Sequence, residues 1–590
     1  MGNDKTQRLE LPGFGMPLVQ LPDPRGEYFM HALWADQRFE SAGLKLREVR
    51  MMEFMNHITD KPEWERGVFD EDIANTWREE ATRLGQGLNL DQDVMLSERM
   101  FDYCIKELHG KVQEYQNTGL ISILDAEVEV LKSDSAISDS PALTLKTTVK
   151  PLEDVPDHKK DWHPGSGGKV LDLVHPSLFP MVYGTSRVLP YGKVPLSGCA
   201  KFSGKGETYA LPSESSLASR STYVENPVIL AGTQWLPSDI AWIPSGGTRI
   251  TSYINNLHPD DHTELYAVLE QFVAAAVPLW ERCLYTRGLD DYTSKPRISQ
   301  VPQGEYEDYY IPAGLVYDVH NDPPSDRPWF DNYVDWEYAN RVLKWPEPDA
   351  YDGSRARPAE KRPNLRTTFP DGLQVIFKLA NIHLSPADPK YKGGSLHIEG
   401  ALNDRIVATA LFYYDCDNIT QGTLTLYHPV NAIELRMVAP DDFSSLERWL
   451  GIQNDGPSLQ RLGGVLTQEG RLLAFPNVLA HKVEPFKLAD DSRPGHQKIL
   501  AMFLVDPHIR VLSTSVVPPQ RKDWWAREVR KVSPLSGLPA EIFDMIIGFV
   551  DGFPMSWEDA LTTRDILISE RNGVEYAFNK EMEDDFYNFL

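Results

Sequence analysis

Two histidines and one glutamate stand at spacings that suit a metal ion with open coordination positions. His397-Ile398-Glu399 sets an imidazole and a carboxylate two residues apart, and in extended backbone residues i and i+2 point the same way. Gly470-Arg471-Leu472-Leu473-Ala474-Phe475-Pro476 then leads to a second imidazole, His481, before Lys482-Val483-Glu484-Pro485. Two imidazoles and one carboxylate on a single face of a metal leave the opposite face free. This is how non-haem iron(II) oxygenases admit a cosubstrate and O2. An ordinary satisfied histidine is the bland reading of any one of these residues, so context has to discriminate.

Three His-x-carboxylate pairs occur: His258/Asp260, His320/Asp322 and His397/Glu399. His258 abuts a helix start, where Asp260 or Asp261 serves as N-cap. His320 runs into Pro323-Pro324, where a strand does not readily follow. Only His397/Glu399 lies between convincing strands. The spacing therefore selects His397, Glu399 and His481 as metal ligands and catalytic centre. Glu is one methylene longer than Asp, so the metal should sit further from the strand, or the chain should bend near Gly400.

A 2-oxoglutarate cosubstrate chelates iron through its keto-acid end and needs a cation for its distal carboxylate. The candidates are Lys498, directly before the apolar run Ile499 to Val505, and Arg493, before Pro494-Gly495. Lys498 is favoured, because Arg493 falls in a turn. Tyr253, Asn255 and Asn256 in TRITSYINN are pocket candidates for substrate, with hydrogen-bonded core or turn residues as the alternative.

The elements that must position these groups follow from periodicity. Residues 41–56 read as a helix. Residues 91–116 read as a longer one, with Met100, Cys104, Ile105, Leu108, Val112 and Tyr115 on one stripe. Residues 133–170 look irregular. Short β-favouring runs (SLFPMVYG, NPVILAG, AWIP, TRITSYI) start near 177. A helix is expected over 260–284, with Leu265, Leu269, Phe272, Ala276 and Leu279 sharing a face. Residues 286–370 show little periodicity, with a linker near 353–366. LQVIFKLA, RIVATALFYYD, TLTLY, RLLAF and KILAMFLVD then form an antiparallel barrel or sandwich pattern. The tail from about 537 reads as helices.

The chain has 590 residues and a formal net charge of -27, with 41% hydrophobic and 10% aromatic residues. That composition suits a globular chain of more than one lobe. The negative field argues against nucleic acid and anionic membranes as partners and favours a neutral or cationic small molecule. Its bland reading is solubility. Four scattered cysteines without a C-x-x-C pair point to a reducing compartment rather than a disulfide framework or thiolate zinc. The first residues lack the apolar segment of a signal peptide, and no apolar run reaches the ~18 residues of a membrane helix. A cytoplasmic location is the expectation.

Longer phrases carry more information than any spacing. The stretches LREVRMMEFMNHITDKPEWERGVFDEDIANTWREE, TRITSYINNLHP, GGSLHIEGALNDRIVATALFYYDCDNIT and GHQKILAMFLVDPHIRVLSTSVVPPQ, with LPAEIFDMI and ERNGVEYAFNKE near the end, resemble the mainly fungal DUF4246 family. The resemblance runs over nearly the whole chain. It implies a double-stranded β-helix (jelly-roll) similar to iron(II)/2-oxoglutarate oxygenases, with Glu rather than Asp in the His-x-carboxylate pair. Two positions depart from the family pattern: Leu396 stands where Trp is expected, and Gln497 where Arg is expected.

The combined expectation is an α+β chain. A mainly helical region over 1–170 precedes a double-stranded β-helix core with insertions over 171–535, and a helical tail over 536–590 packs on the core. The expected activity is iron(II)/2-oxoglutarate-dependent oxidation of an organic small molecule by O2, by analogy in fungal specialised metabolism. A protein- or peptide-directed hydroxylase and a non-catalytic jelly-roll scaffold are the rival readings. Stoichiometric iron after purification separates enzyme from scaffold.

Overall fold

The computed structural model describes residues 8–587 apart from 19–27, 34–40, 42, 85–95, 209–231, 285, 288–295, 299–308, 318–332, 334–335, 337–339, 341, 344, 346, 354–361, 432–449 and 453–456. Residues 226–231 of the NPVILAG run, the His320/Asp322 pair and most of the expected linker near 353–366 lie outside the described residues.

Helices α1 (Leu46–Ile58) and α2 (Glu98–Thr118) form near the expected positions. The Ser97 hydroxyl caps α2 by accepting from the Met100 amide at 3.2 Å. Met100, Cys104, Leu108 and Val112 are buried in one cluster with Met52 and Met55 of α1. Strands β1 (Ile121–Ile123) and β2 (Val130–Ser133) follow, then helix α3 (Asp139–Glu153). This helix occupies a stretch whose composition suggested irregular chain. Only Leu145 and Val149 are fully buried, with Ala142 and Leu152 packed beside them. That narrow stripe among Ser, Thr and Lys is helical in spacing but weak in hydrophobicity, so packing rather than pattern fixes it.

Strands β3 (Asp161–Trp162), β4 (Val170–Val174), β5 (Ser238–Ile243) and β6 (Gly247–Ile250) precede helix α4 (Thr263–Cys283). Its N-cap is His262, not Asp260 or Asp261. The Asp261 carboxylate is instead engaged by Arg527 at 2.8 Å. Then come β7 (Leu373–Leu384), β8 (Ile406–Asp417), β9 (Thr423–Pro429), β10 (Leu459–Leu466), β11 (Leu472–Pro476), β12 (Ala480–Val483) and β13 (Gly495–Val505). The long helix α5 (Trp557–Tyr587) ends the described chain. The molecule is of mixed α+β class with antiparallel core sheets.

The large sheet runs β6-β5-β7-β13-β8-β11-β2-β1, with β4 on β7 and β3 on β4. The small sheet runs β10-β9-β12, and a bridge from His397 to His481 extends it. Residues 121–133, from the expected helical region, therefore complete the large sheet. Alternation divides the faces of β7. Val375, Phe377 and Leu379 join the cluster under α4, whereas Ile376 joins the cluster between the sheets with Phe475, Phe503 and Leu426. That second cluster also takes in α1, α2 and Leu567 of α5, so the amino- and carboxy-terminal regions share the sheets' core.

Helix α5 is tied down by Arg564, which donates to Asp161 of β3. Burial, then the Asp172 carboxylate opposite on β4, push the Asp161 carboxyl up to about 7 despite Arg564. An unfolded Asp titrates near about 3.9. Between those values the folded chain binds more protons than the unfolded one. This group's contribution is therefore full below about pH 4 and is lost as pH rises toward 7. The melting temperature of the wild type minus that of Asp161→Asn should fall as pH is raised from 4 to 8. A flat difference would remove Asp161 from the pH dependence.

Candidate metal centre

His397, Glu399 and His481 converge, each offering one ligand atom within 4.8 Å of the others. Backbone pairing does the work. The His397 amide donates to the His481 carbonyl at 3.0 Å, and the His481 amide returns the bond at 2.9 Å. The two rings then lie 4.5 Å apart on neighbouring chain segments. Glu399 Oε1 stands 3.8 Å from His397 Nε2 and 3.5 Å from His481 Nε2.

The histidine tautomers are set from behind. His397 Nδ1 faces the Ser395 carbonyl at 2.9 Å, and His481 Nδ1 faces the Leu479 carbonyl at 3.5 Å. A carbonyl only accepts, so each Nδ1 carries a proton, and each Nε2 is the atom turned toward Glu399, with a lone pair for a cation once Nε2 is deprotonated. Carbonyls behind the ring fix metal-ligating imidazoles in this way. Burial works against charge on Glu399, yet the two imidazoles beside it hold its carboxyl well below the usual range. Burial and the His397 charge lower His481. Burial also opposes a charged His397, but the Glu399 carboxylate beside it raises it. Three deprotonatable donors, already aimed at one point, fit a divalent ion.

Asn477 holds the glutamate's backbone. Its side-chain oxygen accepts from the Glu399 amide at 2.9 Å, and its nitrogen donates to the Glu399 carbonyl at 2.9 Å and the Ile406 carbonyl at 3.0 Å. The chain then turns at Gly400, φ 80°, where an added Cβ would sit 2.8 Å from Ile406 Cδ1. The bend expected beside the longer carboxylate is present, and glycine meets its steric demand. Asn477→Ala should lower divalent-metal affinity by about 10- to 100-fold with the ligands intact. Unchanged affinity in a metal titration would show that Asn477 serves the fold alone.

Another set, His163, Asp172 and His175, also clusters. Its hydrogen bonds argue against a metal. His175 Nδ1 accepts from the Ser177 amide at 3.2 Å, so Nε2 carries the proton and has no lone pair for a cation. His163 Nδ1 meets Asp172 Oδ2 at 2.8 Å. Asp172 is held at about 2 against burial by these two imidazoles.

The proposed cosubstrate anchors lie elsewhere. Lys498 shares its face of β13 with Leu500, Met502 and Leu504, in the cluster under α4. Its ammonium pairs with Glu153 at 3.0 Å and Asp415 at 3.2 Å, outside the space between the sheets. The register decides this, because a one-residue step reverses the face. Gln497 is the residue that turns inward, its amide nitrogen 2.9 Å from Thr467 Oγ1. Arg493 is half-exposed and pairs with Asp417 at 2.7 Å. The substrate candidates are also corrected. Tyr253 is buried and donates to the Val517 carbonyl at 2.9 Å. Asn255 and Asn256 donate to the carbonyls of Leu178 at 2.9 and 2.7 Å. Their donor groups satisfy carbonyls of the folded chain.

Helix α5 covers the centre, a role that no spacing in the sequence announced. Val574 packs with Ile398 and Leu396, Glu575 accepts from the Ser395 hydroxyl at 3.3 Å, and Arg571 lies 3.7 Å over the Trp235 ring while pairing with Asp404 at 2.6 Å. Trp235 stacks on Phe503, and Phe475 meets the His481 ring edge-on at 4.9 Å. Aromatic side chains thus wall the inner side of the triad.

A family described as "Protein of unknown function (DUF4246)" matches residues 98–528, and its N-terminal domain of unknown function matches residues 11–80. No curated protein matches. Among solved structures, an IDO from Bacillus thuringiensis shares 12% identity over 23% of this chain and 48% of its own, at a TM-score of 0.14. A bsmA homologue from Methylobium petroleophilum shares 14% over 28% of this chain and 57% of its own, also at 0.14. Procruciferin, an 11S globulin from Brassica napus, shares 9% over 36% and 34%, at 0.12. The chain spans about half the length of the first two. At these scores the likenesses carry no argument.

Proposed function

The chain belongs to the DUF4246 family, and from that premise and the geometry of its ligands we propose that it is an iron(II)-dependent oxygenase that uses 2-oxoglutarate and O2 to oxidise an organic small molecule. The observation that carries this reading is the pair of Nε2 atoms facing Glu399, with both Nδ1 protons held by backbone carbonyls. Two imidazoles and one carboxylate leave half of an octahedron open. The division of these segments between two sheets, β7, β8, β11 and β13 in one and the His397 segment, β9, β10 and β12 in the other, supports a double-stranded β-helix.

Bound iron(II) would supply activation of O2 against a C–H bond, coupled to decarboxylation of 2-oxoglutarate. The chain supplies the rest. Glu399 brings the single negative charge, the two imidazoles bring neutral donors, and Phe475, Phe503 and Trp235 keep water from the inner face. Helix α5 closes the side near Ser395. The net charge of -27 favours a neutral or cationic substrate over a polyanion.

Anaerobic titration with iron(II) should give one tight equivalent per chain, lost in His397→Ala and in His481→Ala. A wild-type chain that takes up no iron(II), or that keeps its full equivalent in both variants, would end the proposal.

A further inference from the structure

We propose that Lys378 is the residue that binds the carboxylate of an anionic ligand between the two sheets, the distal carboxylate of 2-oxoglutarate in the reading above, on which the identity of the ligand rests. Lys378 lies near the middle of β7, opposite Ala501 of β13. Ala501 belongs to the cluster between the sheets, as does Ile376, two residues before Lys378 and on the same face. The intervening Phe377 and the following Leu379 belong to the opposite cluster under α4. The ammonium is therefore presented to the interior.

Among the described residues, no hydrogen bond or ion pair is made to this ammonium. Asp172 and His175 feel its charge, but Asp172 is already hydrogen-bonded by His163. A partly buried cation without a partner is costly and persists where a ligand completes it. A second interior group is orphaned in the same way. Thr409 is buried on β8, paired with Phe503 and Phe475, and its hydroxyl has no hydrogen-bond partner.

Position relates these groups to the metal centre. Ile376, Phe503, Thr409 and Phe475 are successive neighbours across the large sheet, and Phe475 touches the His481 ring. Lys378, Ala501, Leu411 and Leu473 form the next row on the same face, displaced by about 7 Å along the strands. A short dicarboxylate with one end at the metal would extend its other end toward that row. Arginine at 378 would keep the charge, and methionine would keep the bulk without it.

The test is calorimetry on the full chain loaded with Mn(II), using 2-oxoglutarate and pyruvate, which lacks the distal carboxylate, together with glutarate on the metal-free chain. Lys378→Met should weaken 2-oxoglutarate by about 10- to 100-fold and erase the preference over pyruvate. Mn(II) affinity and melting should be unchanged, and Lys378→Arg should restore most of the affinity. Unaltered 2-oxoglutarate binding in Lys378→Met overturns the assignment while leaving the metal reading standing. A wild type that takes up no Mn(II) yet binds glutarate through Lys378 would sink the metal reading and retain the carboxylate site. Absence of binding by all of these acids would overturn the site itself.

Discussion

Replacing Glu399 by glutamine should strip the protein of iron while leaving its fold intact. The side chain lies between two imidazole Nε2 atoms, at 3.8 and 3.5 Å, and its backbone is held by Asn477 independently of the carboxylate. A glutamine amide has nearly the same shape, and its N–H can donate to an imidazole lone pair. The metal-free variant should therefore melt close to the metal-free wild type. Iron behaves differently, because the cation selects a hard anionic oxygen. Altering a residue that only holds a ligand in place already costs about 10- to 100-fold in affinity, so loss of the carboxylate ligand itself should exceed about 100-fold. The readouts are iron content, succinate release from 2-oxoglutarate with cell extract as substrate source, and melting of the metal-free chain. Full iron with full succinate release would show that Glu399 is not a ligand. Early melting of the metal-free variant would assign it to the fold instead.

Replacing Arg297 by methionine should have the largest effect on stability. The guanidinium is fully buried. Its Nε and Nη2 donate to the two oxygens of Glu107 at 2.8 and 2.6 Å, Nη2 also reaches Asp125 at 2.6 Å, and the Arg297 amide donates to Glu48 at 2.9 Å. Removing the cation leaves the buried Glu107 and Asp125 carboxylates sharing Lys111, at 3.0 Å from Glu107 and 2.9 Å from Asp125. Breaking a buried network from one side costs about 3–5 kcal/mol. Burial alone would raise Glu107; Arg297, then Lys111, turns the balance and lowers it. The variant should therefore lose more stability at pH 8 than at pH 5, where protonation relieves the stranded charge. Urea unfolding at both pH values measures this. A loss under about 1 kcal/mol at pH 8 would show that the network is energetically neutral.

The strand series from 373 to 505 was legible because alternation and β-branched content are local properties. The stripe of α2 was legible for the same reason. The face presented by Lys498 was not, because it depends on the register of β13 against β7 and β8, and one residue separates Gln497 inside from Lys498 outside. Local chemistry likewise misled at Tyr253, Asn255 and Asn256. Polar groups near a strand end look available until the tertiary fold brings carbonyls to them.

By itself the sequence singled out His397, Glu399 and His481 as one set, since His-x-Glu in extended chain puts both groups on one side and His481 follows at a strand of its own. It also determined the mixed α+β class and, through its phrases, the DUF4246 family. Only the tertiary structure decided which ring nitrogen faces the centre. That depends on the Ser395 and Leu479 carbonyls lying behind the imidazoles. It alone decided that Asn477 holds the glutamate, that α5 covers the site, and that Lys378 rather than Lys498 faces inward. Each of these is a contact or a facing set by segments distant in the chain. Residue type and spacing fix which atoms are available, but packing and register fix which of them meet.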